Sequence, residues 1–155
     1  MGETADLNPT IVNALYGEAL ALADEARAAF DLSGRLTAAS ENEDLARIAL
    51  SCEALRTTTR MMHAIAWLLN QRAFFAGELS EFQLRHHGRL PPRQGDPSPD
   101  QLVLLEPELE TLIQRTRRFY ARIERLDGAW REHFAMHPAA IHRLRDRLGR
   151  AVAAL

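Results

Sequence analysis

Four arginines, Arg115, Arg118, Arg122 and Arg125, fall at i, i+3, i+7 and i+10, which on a helix is one stripe of positive charge. Such a stripe can follow nucleic-acid phosphates. It can equally border an apolar seam, with aliphatic stems covering the core and charged heads meeting acids on a neighbouring helix. The second reading is the stronger. Glu106, Glu108 and Glu110 crowd the start of the same helix and the arginines follow, the order that the helix dipole favours. No recognition-helix pair or zinc pattern accompanies the stripe. Asp24, Glu25, Glu43, Asp44 and Glu53 are the candidate acidic partners.

His133 and His137 are four residues apart, and His86 and His87 are adjacent. Two histidines at i, i+4 can hold a metal, but a third ligand is needed and none has matching spacing. Pro138 follows His137 directly, so capping and surface roles suit these histidines better. Cys52 lies on an apolar seam with nothing nearby to make it a thiolate, and reads as a small buried hydrophobe. No Gly-rich phosphate loop, nucleophile elbow or HExxH pattern occurs. The expectation is therefore a protein that is not an enzyme, with no catalytic residues, no cofactor and no metal.

The 155 residues make one domain, large enough to fold without staples. A lone cysteine fits a reducing compartment. No run approaches the ~20 apolar residues of a membrane span. The first residues lack the basic start and apolar core of a signal peptide, so the expected place is the cytoplasm. All 19 basic residues are Arg, the pattern of a GC-rich bacterial coding bias. Residues 1–110 hold 17 acids against nine Arg, and residues 111–155 hold four acids against ten Arg. That asymmetry suits nucleic-acid binding or a bundle whose acidic and basic helices attract each other.

The elements that must position these residues are all helical. Residues 1–7 read as a frayed start. Asn8 and Pro9 open a first helix, and Val12, Leu15, Ala19, Leu22 and Ala26 form its buried seam up to a stop at Ser33-Gly34. Ser40 and Glu43 have capping-box spacing before a second helix, Glu43 to Phe75, free of Pro and Gly. Gly77 stops it. Ser80 caps a short helix, Glu81 to His87, closed by Gly88. Residues 89–100 form a Pro-rich exposed loop. A third long helix from Pro107 carries the seam Leu109, Leu112, Thr116, Phe119, Ile123, Leu126 and Trp130. A last short helix from Pro138 sets Ile141, Leu144, Leu148, Ala151 and Leu155 on one face. The expected fold is all-α: an antiparallel bundle of three long helices with short extra helices.

The second helix carries two patterns. Leu45, Ile48, Cys52, Leu55, Thr59, Met62, Ala66, Leu69 and Ala73 step by threes and fours, which keeps one seam facing a partner helix. From Met61 to Leu69 the apolar character spreads round the whole helix, interrupted by His63. Such a belt needs cover on every side. Met61, Met62, Ile65, Trp67, Leu68 and Leu69 are therefore expected in the core or in a homodimer interface. The alternative is that the other helices of the same chain cover the belt.

The second helix also contains Thr58-Thr59-Arg60, Met62, Ala66-Trp67-Leu68-Leu69, Gln71-Arg72-Ala73 and Gly77-Glu78. With Leu15-Tyr16, Glu18-Ala19 and the basic Pro-containing loop Arg89 to Pro92, these residues resemble the RcdA-like family, named for a bacterial regulator of CtrA degradation. Thr57 and His63 depart from the family pattern, and the C-terminal quarter shows no alignable motif. The resemblance implies a homodimeric helical bundle acting as an adaptor for the ClpXP protease in the bacterial cell cycle. It also implies a priming response regulator as partner, and tethering of substrate proteins to the ClpX complex. On that basis Arg56, Arg60, Gln71, Arg72 and Glu78 are the polar positions expected to contact partners or to fix the exit of the second helix. Arg143, Arg147 and Arg150 on the last helix form a second candidate docking surface. The rival expectations are an Arg-rich nucleic-acid-binding module and a generic dimeric scaffold.

Overall fold

The computed structural model describes residues 7–38, 44–135 and 138–153. Among these described residues six helices follow one another: α1 Pro9–Ala38, α2 Asp44–Phe75, α3 Glu81–His87, α4 Pro99–Leu102, α5 Pro107–Ala135 and α6 Pro138–Ala153. No strand occurs among the described residues, and the fold is an all-α bundle.

Local chemistry sets most of the ends. The Asn8 side chain accepts from the Ile11 amide at 3.0 Å, capping α1. α1 does not stop at Ser33-Gly34, as expected, but runs to Ala38. Ser33 is buried there, and packing outweighs the ~1 kcal/mol that glycine costs a helix. α2 ends where Gly77 takes φ of 79°. The Glu78 amide donates to the Ala73 carbonyl and the Gly77 amide to Phe74, the paired bonds of a Schellman ending. Ser80 caps α3 in a reciprocal box with Gln83. Gly128 leaves α5 unbroken. The possible box at Ser40 and Glu43, and His137, lie outside the described residues.

Three long helices form the body. Arg72 Nε donates to Asn13 Oδ1, which sets α1 and α2 antiparallel. Glu18 with Arg122 and Glu25 with Arg115 set α1 and α5 antiparallel too. Arg60 meets Thr116 and Trp67 meets Asp127, so α2 and α5 run parallel. The chain must therefore return along the ~48 Å of α2 before α5 begins. Residues 88–98 do this as an extended strap laid over the bundle. The loop expected to be exposed is thus anchored: Leu90 and Pro97 are buried, and the Tyr120 hydroxyl donates to the Pro91 carbonyl at 2.6 Å. Pro excludes helix here but suits an extended path of ~3.1 Å per residue.

The main core joins Val12, Leu15 and Leu22 of α1 to Met61, Trp67 and Leu68 of α2 and Phe119 and Ile123 of α5. A smaller cluster, Ala49, Leu50, Leu105, Leu109 and Ile113, closes the end where α2 and α5 begin.

Candidate functional site

The expected seam of α2 lies on the wrong side to be core. Leu45 is 74% exposed, Ile48 55%, Leu55 69%, Met62 64% and Leu69 45%. Cys52, expected to be buried, is half-buried on this same side. The face that packs inward is instead Ala49, Leu50, Glu53, Thr57, Arg60, Met61, Ala64, Trp67, Leu68 and Gln71. The correction has a physical cause. α1 and α5 together cover only one side of a helix, and α2 has apolar residues on two. Small Ala49, Thr57 and Ala64 let the neighbouring helices approach, and Trp67 and Leu68 fill the space between them, so the second apolar side is left outside. Of the belt, Met61, Trp67 and Leu68 are buried, Ile65 is half-buried, and Met62 and Leu69 face solvent. Among the described residues the other helices of the chain cover its inner side and leave Met62 and Leu69 uncovered.

Beside the outer stripe, an apolar groove of about 330 Å³ runs between α1 and α2, lined by Ala23, Phe30, Ala54, Met61, Met62 and Ile65. Stripe and groove share Met62 and form one continuous apolar surface.

The inner face carries the polar residues. Glu53 is fully buried; its Oε1 accepts from Arg56 Nη1 at 2.5 Å, and its Oε2 has no hydrogen-bond partner. Arg56 also reaches Gln101 of α4 at 3.4 Å. Arg60, 8% exposed, donates to Thr116 Oγ1 at 3.0 Å. Burial first, then the neighbouring Arg117 charge, pulls its guanidinium below the ordinary arginine range. The Trp67 indole donates to Asp127 at 3.0 Å, and Arg131 holds the same carboxylate. Gln71 is buried with neither amide atom bonded to protein.

Arg60 and Gln71 are thus inside the body, not on the outer surface expected of partner contacts. Arg72 and Glu78 are exposed, with Arg72 stacked 4.4 Å over the Tyr16 ring. Arg56 is half-buried. Arg147 and Arg150 are exposed on α6, beside exposed Leu144, Leu148 and Val152; the Arg143 side chain lies outside those described. The arginine stripe of α5 is tied to α1: Arg115 to Glu25 at 2.6 Å and Arg122 to Glu18 at 2.9 Å. Glu25 was among the expected partners, Glu18 was not, and Glu53 bonds within its own helix. The bond to Glu25 raises the Arg115 guanidinium above its ordinary value.

Residues 3–152 match the family model described as "Protein of unknown function (DUF1465)". The chain belongs to that family. No curated protein and no solved structure matches it. Family membership therefore covers nearly the whole chain, from before α1 to the last turn of α6. Among the described residues no helix is long and apolar enough to cross a membrane, and no group of three or more His, Cys, Asp or Glu is placed to hold a metal.

Sequence reasoning missed the inward face of α2 because it sought apolar spacing. Glu53, Thr57, Arg60, Ala64, Trp67 and Gln71 step by threes and fours just as the outer seam does. Polar and small residues at that spacing were the available signal.

Proposed function

We propose that this chain is a non-enzymatic adaptor that works as a pair of copies in the bacterial cytoplasm. The outer stripe of α2 joins the two copies, and the remaining charged faces tether substrates or a priming regulator to the ClpXP protease. The observation that carries the reading is the stripe itself: five large apolar side chains, Leu45, Ile48, Leu55, Met62 and Leu69, left exposed at a step of three and then of seven residues along one helix. A stripe at that spacing is complementary to a second copy of itself, with knobs entering holes. The groove beside Met62 adds a receptor for the partner's side chains. The protease and its primer come from the family resemblance carried by Thr58 to Arg60, Ala66 to Leu69 and Gln71 to Ala73.

Tethering needs no reacting group. It turns a bimolecular encounter into an intramolecular one, at an effective concentration near ~1 mM for short flexible links. Exposed Arg72, Glu78, Arg147 and Arg150 are the side chains offered to partners, and Arg56 orders the inside of α2.

Light scattering at micromolar concentration tests the pairing. The native chain should have twice the monomer mass, and Leu55→Glu with Met62→Glu should halve it while the helical circular dichroism signal stays. A monomeric native chain would remove the pairing. Immobilised protein should then retain ClpX, a primer or a substrate; retention of none, under any primed condition, would remove the adaptor role.

A further inference from the structure

α2, α5 and the strap enclose a small recess outside the surfaces discussed so far. It has about 30 Å³ of free space, and its lining includes Arg60, His63, Arg93, Arg117 and Tyr120 together with the carboxylate of Asp96. Arg93 is paired with Glu124 and Arg117 with Asp96. Arg60 is different. It is more than nine-tenths buried, its Nη1 rests on the neutral Thr116 hydroxyl, and among the described residues it forms no ion pair. Glu53, two turns earlier on the same face, is engaged by Arg56 at 2.5 Å.

The cluster is thus one positive charge in excess, and the excess is buried. Burial weakens its hydration and the Arg117 charge repels it, while the Glu53 and Asp96 charges offset this only from a distance. Arginine carries five N–H donors in a planar fork that matches carboxylate and phosphate oxygens. The free space admits about one oxygen of such a group, with the rest at the opening, and nothing as large as a sugar or base.

We propose that this recess binds a single oxyanion group, a carboxylate or a phosphate, with Arg60 and Arg117 as its donors and His63 beside it. The bound group supplies the charge that Arg60 lacks and ties α2, α5 and the strap together. The site is separate from the outer stripe of α2 and does not depend on the adaptor reading.

The test is a titration of the intact, arginine-labelled protein with inorganic phosphate and, separately, acetate, at ionic strength held constant with chloride. Arg60 and Arg117 Nε–H resonances should shift and saturate, while exposed Arg27 stays still. Arg117→Gln, at the mouth of the recess, should weaken binding about tenfold, the worth of one charge-assisted contact. Arg60→Gln should abolish it; should that variant fail to fold, Arg117→Gln decides alone. Saturation by phosphate only assigns a phosphate group, by acetate only a carboxylate, and by both any oxyanion. No saturation by either, or binding untouched by Arg117→Gln, overturns the proposal.

Discussion

α5 meets α1 on one side and α2 on another, and the two contacts are built on opposite principles. Against α1 the middle is apolar and the charges stand at the rim, where Arg115, Glu25, Arg122 and Glu18 are each about half exposed. Against α2 the polar groups sit in the middle: Arg60 on Thr116 and Trp67 on Asp127. Rim pairs keep water as an alternative partner and tolerate sliding. Buried donors are satisfied in one register and stranded in any other. The difference matters because α2 and α5 run parallel, joined by a long strap and not a tight turn. Apolar burial against α1 holds α5 in place, and buried polar bonds to α2 align it.

The largest expected effect is at the centre of the aligned contact. Trp67→Ala should cost about 3–5 kcal/mol in urea unfolding, through lost volume and the lost bond to Asp127, which Arg131 still holds. Trp67→Phe keeps most of the volume and should cost about 1–2 kcal/mol, the hydrogen bond alone. Equal losses from the two would mean that Trp67 is filler and sets no register.

Next is the pair behind it. Arg56→Ala leaves the fully buried Glu53 carboxylate alone and should cost about 2–3 kcal/mol, reduced from the fully buried case because Arg56 is partly solvated. Replacing both residues by Leu should recover most of that loss, since an apolar pair needs no partner. A double variant no better than the single one would show that the pair is not what stabilises the inner face.

A smaller effect belongs to the strap. Tyr120→Phe removes the bond to the Pro91 carbonyl and should cost about 1 kcal/mol near neutral pH. Burial, then the Glu124 and Asp127 charges, raises the Tyr120 phenol above its ordinary value. A folded-state value above the unfolded one stabilises fully below about pH 10 and is lost as pH rises through the folded value. The advantage of the native chain over Tyr120→Phe should therefore hold up to about pH 10 and shrink as pH rises above it, read from urea midpoints. An advantage that grows with pH would contradict the buried hydroxyl.

The smallest effect is at the rim of the α1 contact. Arg122→Ala should cost under about 1 kcal/mol, and raised salt should erase the difference. A loss as large as that of Arg56→Ala would abolish the distinction between the two sides of α5.

The seams of α1 and α5 were legible in the sequence because each helix has one apolar side and one place to bury it. Val12 to Ala26 and Leu109 to Ile123 are buried as their spacing required. α2 has two sides at the same spacing, and periodicity states which faces avoid water without saying whether cover comes from the same chain. Leu55 and Met62 therefore read as a seam for core or dimer interface alike, while Glu53 and Arg60 passed for surface. The short helix between Ser80 and Gly88 was legible because capping is local chemistry. The parallel course of α5 was not, since a proline run has no period and its ties to Tyr120, Glu124 and Arg117 join distant parts of the chain.

Gly88 sits where the short helix hands over to the strap, and a methyl group there would lie 2.5 Å from the Leu84 carbonyl oxygen and 2.8 Å from Leu84 Cδ1. One hydrogen atom in place of a carbon thus aims everything downstream. Were position 88 to swell, Leu84 or the departing chain would have to shift, and a shifted strap would carry Pro91 from the Tyr120 hydroxyl and Asp96 from Arg117. The smallest side chain in the molecule acts as the sighting notch for its least regular stretch.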